Sequence, residues 1–389
     1  MTPTEPSSAG DRKLRIAFID HQRFAYAVDQ VDHRPISGSH SVLCLIAAGL
    51  AARGHEVTLM GQFVPHDAVR DGVRHLALGR MRKAVPQDVA IVVNGCATPD
   101  AAASLVGTDA ALVSWMHNHT ESESAQPFSD PAIIGRFVRL VFVSEWQAGT
   151  FIRKFGLSPG STAVIANALS PVFAGLIAPD EQILADRDPD LLVYLSAPIR
   201  GLRTFESLWP QLLKRRPTLK LAVYGDHTLV QFHGEDQPKI AAMLRRIGAL
   251  PNVELRPSVG KVPLAAALRH AAMLCYPATY PETACLAAVE AMAAGCLCSV
   301  TGIGGLPETT AGFAAITPLS GESFRASEFV DRTIGLLEER DRAPAEMEAR
   351  LRAQVDLLRR RHAVADAIQS WERLLIGADP SGRGHAPVG

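Results

Sequence analysis

The sequence predicts an α/β protein built of two doubly wound parallel sheets facing a cleft, and three observations carry that prediction. Short apolar runs alternate with helical patterns along the chain, the signature of βαβ units. The alternation lapses once, between Ser170 and Asp190, into Pro, Asp and Ala. At 389 residues the chain suits two domains of ordinary size better than one. The first domain is placed at residues 1–175 and the second at 188–363, with a helix at about 364–378 expected to pack back on the first.

Leu14–Asp20 reads as the first buried strand, followed by a helix through Val42–Ala52. Arg53-Gly54-His55 announces a second strand, Glu56–Met60, and Val89–Val93, Ala111–Trp115 and Leu140–Val143 continue the series. After the lapse a second set begins: Leu191–Leu195, Leu219–Tyr224, Val253–Leu255, Met273–Tyr276 and Leu297–Val300. The tail Ala343–Leu375 is charged and helical. In such sheets ligands lie beyond the strand C-termini, so a ligand is expected between the domains.

Composition narrows the function classes. Hydrophobic residues are 47% and charged residues 20%, the profile of a soluble globular protein. With 39 basic and 40 acidic residues there is no global pull toward nucleic acid or an anionic membrane. Arg80, Arg82, Lys83, Arg153 and Lys154 read as solvated faces, and peripheral membrane association would rest on them alone. Met1–Arg12 is polar and Ser/Pro-rich without a signal-peptide core. Val42–Ala52 is too short to span a bilayer. Four of the six cysteines fall between Cys275 and Cys298 among Ala, Leu and Val, which points to buried thiols in a reducing compartment rather than disulfides or zinc. A cytoplasmic protein, at most peripheral at the inner face of the membrane, is expected.

The chemistry concentrates in Tyr280-Pro-Glu-Thr-Ala-Cys-Leu-Ala-Ala-Val-Glu-Ala-Met-Ala-Ala-Gly295. Tyr280-Pro281 reads as a loop and Ala284–Ala294 as a helix closed by Gly295. That helix is apolar all round except at Glu290, which is therefore buried and must be satisfied. No Lys or Arg occurs between Ala271 and Phe324, so donors to Glu290 must come from elsewhere in the fold or from a ligand. A ribose diol offers two such donors. Glu282, in the loop ahead of the helix, suits sugar hydroxyls. The helix N-terminus between them offers free amides and a positive dipole end to a diphosphate. The competing interpretation is a buried helix whose one Glu pairs with a distant Arg.

Here the sequence resembles the retaining GT-B glycosyltransferases of family 4, group 1 type. Glu282 and Glu290 stand as that family's Glu-x7-Glu pair, and Glu-Ala-Met-Ala-Ala-Gly295 with Thr301-Gly-Ile-Gly-Gly-Leu-Pro-Glu308 extends the likeness. Ser37-Gly38-Ser39, Gly54-His-Glu-Val57, Val143-Ser-Glu145, Val164-Ile-Ala-Asn167, Ser196-Ala-Pro-Ile-Arg-Gly-Leu202 and Trp209-Pro210 are collinear with it. The resemblance implies a GT-B fold: two Rossmann-like domains, an acceptor-side one and a nucleotide-sugar donor one. It implies catalytic roles for His117, Arg200 and Glu282, with His119 second to His117. It implies donor contacts from Gly38, Arg200, Glu282, Thr283, Ala284, Cys285, Leu286 and Glu290, and caution at Gly304 and Gly305.

Two departures stand out. The usual Arg–Lys pair is reduced to Arg200, since Leu195 and Ser196 are uncharged; Arg203 or Lys261 are the substitutes to consider. Thr283-Ala284-Cys285 replaces the usual Gly-Phe-Gly, so the sugar pocket is shaped differently. The resemblance implies transfer from a nucleotide-diphosphate sugar, UDP- or GDP-linked, to a hydroxyl of a glycan, lipid-linked glycan or small molecule. Configuration is retained, the donor phosphate acts largely as base, and neither metal nor cofactor is needed. Residues 117–136 are a candidate acceptor loop. A non-catalytic sugar-nucleotide-binding protein and a nucleotide-sugar epimerase are the alternatives. Asp188-Pro189-Asp190 has a metal-binding Asp-x-Asp spacing but reads as solvated linker. No dinucleotide fingerprint follows the first strand, where Asp20-His-Gln-Arg-Phe stands instead.

Overall fold

The computed structural model describes residues 12–94, 98–225, 237–319 and 325–379. Most of Met1–Arg12, together with Cys96, lies outside the described residues. Its first sheet has eight strands: β1 (Arg15–Asp20), β2 (Glu56–Gly61), β3 (Ala68–Arg70), β4 (Val73–Ala77), β5 (Val89–Val93), β6 (Ala111–Met116), β7 (Arg139–Phe142) and β8 (Thr162–Val164). Their order is β3-β4-β2-β1-β5-β6-β7-β8, parallel throughout except where β3 runs against β4. Every residue of β5 and β6 is buried, as expected for parallel strands covered on both faces.

The second sheet has six parallel strands: β9 (Asp188–Tyr194), β10 (Lys220–Tyr224), β11 (Val253–Arg256), β12 (Ala271–Tyr276), β13 (Leu297–Thr301) and β14 (Ala315–Thr317). Their order is β11-β10-β9-β12-β13-β14. In each sheet the winding reverses at one place, between β1 and β5 and between β9 and β12. These switch points open crevices at the strand C-termini.

The helix expected from Val42 runs Gly38–Ala52, starting four residues earlier because the Ser37 hydroxyl caps it. The hairpin β3–β4 and strand β14 were not expected; they are short, and two of the three residues of β3 are exposed. Asp188-Pro189-Asp190 is not a linker. It opens β9, where Asp188 pairs with Lys220 at 2.7 Å and Asp190 with Arg216 at 2.5 Å, so both carboxylates are spent on structure.

The chain crosses back near residue 362. The His362 Nδ1–H donates to the Asn167 carbonyl at 2.8 Å, and Leu169 N–H donates to the His362 carbonyl at 2.9 Å. Helix Val364–Ala378 then lies on helix Gly38–Ala52 of the first domain. Trp371 meets Trp115 edge-on at 4.8 Å, and Glu372 accepts from Arg53 and His55. At this crossing a Cβ on Gly49 would sit 2.1 Å from the end of the Ile368 side chain, which would have to shift to admit it. Among the described residues no helix is long and apolar enough to cross a membrane. The five described cysteines are buried and unbridged.

Candidate active site

The two switch points face each other, and most of the predicted site residues lie at them. On the second domain, β12 runs into the loop Pro277–Cys285 and then helix Leu286–Ala293, two residues shorter at its start than expected. Gly295, at φ 80°, follows this helix. Two further glycines shape the loop. A Cβ on Gly304 would sit 2.4 Å from the Glu282 carbonyl and one on Gly305 2.5 Å from that of Thr283, so both positions exclude side chains.

Arg200 follows β9 in a single turn. Its Nη1 donates to both Glu282 carboxylate oxygens at 3.0 Å, and its guanidinium lies 4.6 Å from the centre of the Tyr280 ring. The Tyr276 hydroxyl donates to Glu282 at 2.5 Å. Burial works against the charge on Arg200, but Glu282, Tyr276 and Tyr280 outweigh it and hold the guanidinium above its ordinary range. Gly201, at φ 137°, lets this turn close on the loop, where a Cβ would collide with the Pro277 carbonyl at 2.3 Å.

Glu290 is buried, and its counter-charge comes from Lys261, whose Nζ reaches Oε1 at 2.5 Å. The counter-charge is thus a lysine 29 positions earlier, where an arginine was the expected partner. Lys261 opens helix Lys261–His270, at a junction where Gly260 presses on the backbone of Asp32–Arg34 and Lys261 N–H donates to the Val31 carbonyl. Arg203 is exposed.

The first domain meets this loop directly. Thr283 Oγ1 donates to the His117 carbonyl at 2.6 Å, and Ser144 Oγ donates to the Thr283 carbonyl at 2.5 Å. Gly38 faces Leu286, which a Cβ would approach to 3.7 Å. Ala284 lines a neighbouring cavity of about 220 Å³ with Ser144, Asn167, Glu308 and His362, while Cys285 is buried behind the loop.

The two predicted histidines have different neighbours. His119 meets the Tyr280 ring edge-on at 4.9 Å, within the field of Arg200 and Glu282. His117 packs 4.5 Å from Trp115, and its Nε2 is shielded from solvent with no partner among the described residues. Burial pushes its imidazole down to about 3, with His40 adding and Asp20 opposing. Sequence reasoning missed the groups around it. Asp20, at the end of β1, accepts from Tyr26, Gln22 N–H and His40. The only signal was a carboxylate standing where a glycine-rich loop would be expected. Among the described residues no group of three or more His, Cys, Asp or Glu is arranged to hold a metal.

Two doubly wound sheets meeting across such a cleft define the GT-B architecture. Residues 191–339, nearly the whole second domain, match the family model described as glycosyl transferases group 1. Solved structures share the fold over almost the full chain. Sucrose-phosphate synthase from Thermosynechococcus elongatus superposes with a TM-score of 0.69 at 17% identity, over 94% of this chain and 100% of that one. WaaG, a glycosyltransferase involved in lipopolysaccharide biosynthesis, gives 0.64 at 15%, over 93% and 100%. HepE of Anabaena in complex with UDP-glucose gives 0.65 at 16%, over 94% and 100%. Among curated proteins no match was found.

Proposed function

We propose that the protein is a retaining glycosyltransferase of family 4 type that moves a sugar from a nucleotide-diphosphate donor to an acceptor hydroxyl. The observation that carries this is the convergence of Arg200, Glu282, Glu290 and the first turn of helix Leu286–Ala293 opposite Gly38 and the two histidines. The helix N-terminus and Arg200 receive the diphosphate and stabilise the charge that develops as it leaves. Glu290, paired with Lys261, accepts from the ribose hydroxyls. Glu282 accepts from the donor sugar while Tyr276 fixes its carboxylate. A UDP-linked hexose is the first donor to test, since a protein of this fold binds UDP-glucose. The acceptor is a carbohydrate, lipid-linked or small-molecule hydroxyl, approached from the 117–136 side, and the chemistry needs positioning rather than a metal.

The test is thermal unfolding against UDP, GDP, ADP and their sugars, with and without Mg²⁺, followed by NMR of the transferred sugar. A ligand at a hundredfold excess over its dissociation constant should add about 2.7 kcal/mol of stability. A metal-independent shift and a product with the donor's anomeric configuration support the reading. Folded protein that responds to none of them, or an inverted product, rejects it.

A further inference from the structure

Glu282 is held by two donors of different kinds. The residue is buried, and its backbone is fixed where Gly305 N–H donates to its carbonyl at 2.6 Å. What remains to be set is the direction of the carboxylate. Arg200 Nη1 donates to both of its oxygens, and among the described residues Arg200 is the only cation paired with it. The Tyr276 hydroxyl donates to Oε1 alone, at 2.5 Å. Ser196 Oγ lies 3.1 Å from the same hydroxyl. The single phenolic proton is on the carboxylate side, so Ser196 donates and Tyr276 accepts. The hydrogen bonds therefore run one way, from the residues after β9 through the end of β12 to the loop. Ser196 is one of the two uncharged residues that stand where a second base was expected.

Arg200 cannot set the direction by itself. Its two contacts are equal, at 3.0 Å, and the torsion that turns a Glu carboxylate is intrinsically loose. Tyr276 makes the oxygens unequal: Oε1 is taken, and Oε2 keeps room for another donor. The simpler explanation is that a buried phenol takes whatever acceptor is at hand. The neighbouring tyrosine shows what that looks like. Tyr194 packs edge-on against Tyr276, with ring centres 5.6 Å apart, and satisfies its hydroxyl on the Ala197 backbone carbonyl at 2.9 Å. Tyr276 instead donates to a carboxylate and accepts from a serine, an arrangement that burial alone does not require. Its ring is fully buried against Tyr194, which leaves the hydroxyl one position.

We propose that Tyr276, supported by Ser196, is the positioning residue that turns Glu282 Oε2 toward the donor sugar, an inference that rests on the transferase reading above. The two donors divide the task. Arg200 supplies the charge that keeps the carboxylate in a buried place, and it uses only Nη1 for this. Tyr276 supplies the direction. It acts through Glu282, and Ser196 acts through Tyr276. Burial, with the Glu282 charge adding to it, pushes the phenol well above its ordinary range, so it remains a donor.

The experiment compares Tyr276→Phe, Ser196→Ala and the double variant with wild type in the full chain. The readouts are binding of UDP, GDP and ADP by calorimetry, cleavage of UDP-, GDP- and ADP-glucose with water as acceptor, and the melting temperature. Tyr276→Phe should keep nucleoside diphosphate affinity within about two-fold and slow cleavage by about 10-fold or more, the loss of one hydrogen bond to a charged group. Ser196→Ala should slow cleavage by about two- to five-fold. In the Tyr276→Phe background it should change nothing further, because the serine acts only through the phenol. Native cleavage in Tyr276→Phe overturns the proposal. So does a loss of diphosphate affinity that matches the loss of cleavage, since a mere support of the loop would weaken both. Equal losses from Ser196→Ala in the two backgrounds overturn the part given to Ser196. If Tyr276→Phe melts below the assay temperature, Ser196→Ala decides alone: its loss must fall on cleavage and spare diphosphate affinity, and a uniform or absent loss overturns the proposal. A wild-type protein that cleaves none of the three sugars overturns the transferase reading and the proposal with it.

Discussion

The two walls of the cleft hold their polar groups by different means. On the second domain charge faces charge, Arg200 against Glu282 and Lys261 against Glu290. On the first domain a single buried carboxylate, Asp20, anchors a set of hydroxyls and imidazoles. The difference teaches where each wall is vulnerable. Removing one member of a buried ion pair strands a charge, whereas removing one hydroxyl beside Asp20 costs a hydrogen bond and leaves the carboxylate its other donors. The donor wall is therefore the more fragile of the two, and the first-domain wall can be altered chemically with little loss of fold.

The largest expected effect is at Lys261. Lys261→Ala should destabilise the protein by about 3–5 kcal/mol in urea unfolding, because Glu290 stays buried without a partner. Lys261→Met combined with Glu290→Leu should recover most of that loss while abolishing donor binding. A small loss in the single variant would mean that the donor wall tolerates an unpaired carboxylate, and the contrast between the walls would fail.

Arg200 sharpens the same contrast, since about a third of its side chain is exposed. Arg200→Ala should cost less stability than Lys261→Ala, because the Tyr276 hydroxyl still donates to the buried Glu282 carboxylate, and should weaken UDP binding by about 1.5–3 kcal/mol, read by calorimetry. Native affinity in that variant would remove Arg200 from the diphosphate site. Arg200→Lys should not restore the full affinity, because an ammonium lacks the fork that grips two phosphate oxygens.

On the other wall, His117 makes a prediction about pH. Its folded-state value, about 3, lies below the ordinary value of 6.5, so the unfolded chain binds the proton first. Its contribution is complete above 6.5 and is lost as pH falls from there toward 3. The slope from this group is at most about 1.4 kcal/mol per pH unit. His117→Phe should flatten the stability profile between pH 6 and 4 relative to wild type. Parallel profiles would show an imidazole in contact with water.

How much of this was legible in the sequence follows from the distances involved. Both domains and ten of the strands could be read from local apolar runs, because buried parallel strands carry their signal within a few residues. Glu290 stood out because a lone carboxylate on an apolar helix demands an explanation, and Glu282 and Arg200 were singled out by the resemblance. Their partners were not. Lys261 lies 29 residues from Glu290, and Asp20 lies 20 from His40; only the sheet order brings these groups together. The assignment of Asp188 and Asp190 to a linker failed for the same reason, as Lys220 and Arg216 reach them only once β10 pairs with β9. The resemblance ranked His117 ahead of His119, two residues on, but could not show that the end of β6 brings one near Asp20 and the other near Tyr280.

The smallest expected effect lies where the walls touch. Helix Glu145–Phe155 belongs to the first domain, but its first amides are capped from the second: Glu145 and Trp146 N–H donate to the Glu308 carboxylate at 3.0 and 2.8 Å. A negative charge at a helix N-terminus stabilises it by about 0.3–1 kcal/mol at an exposed site. That energy exists only while the domains are closed, so it biases closure rather than the stability of either domain. Glu308→Gln keeps an acceptor there and removes the charge. It should leave the melting temperature nearly unchanged, enlarge the radius of gyration measured by X-ray scattering without donor, and raise the KM for donor by a few-fold, in line with about 1 kcal/mol. An unchanged radius and KM would mean that the contacts of Thr283 with His117 and Ser144 hold the cleft shut on their own.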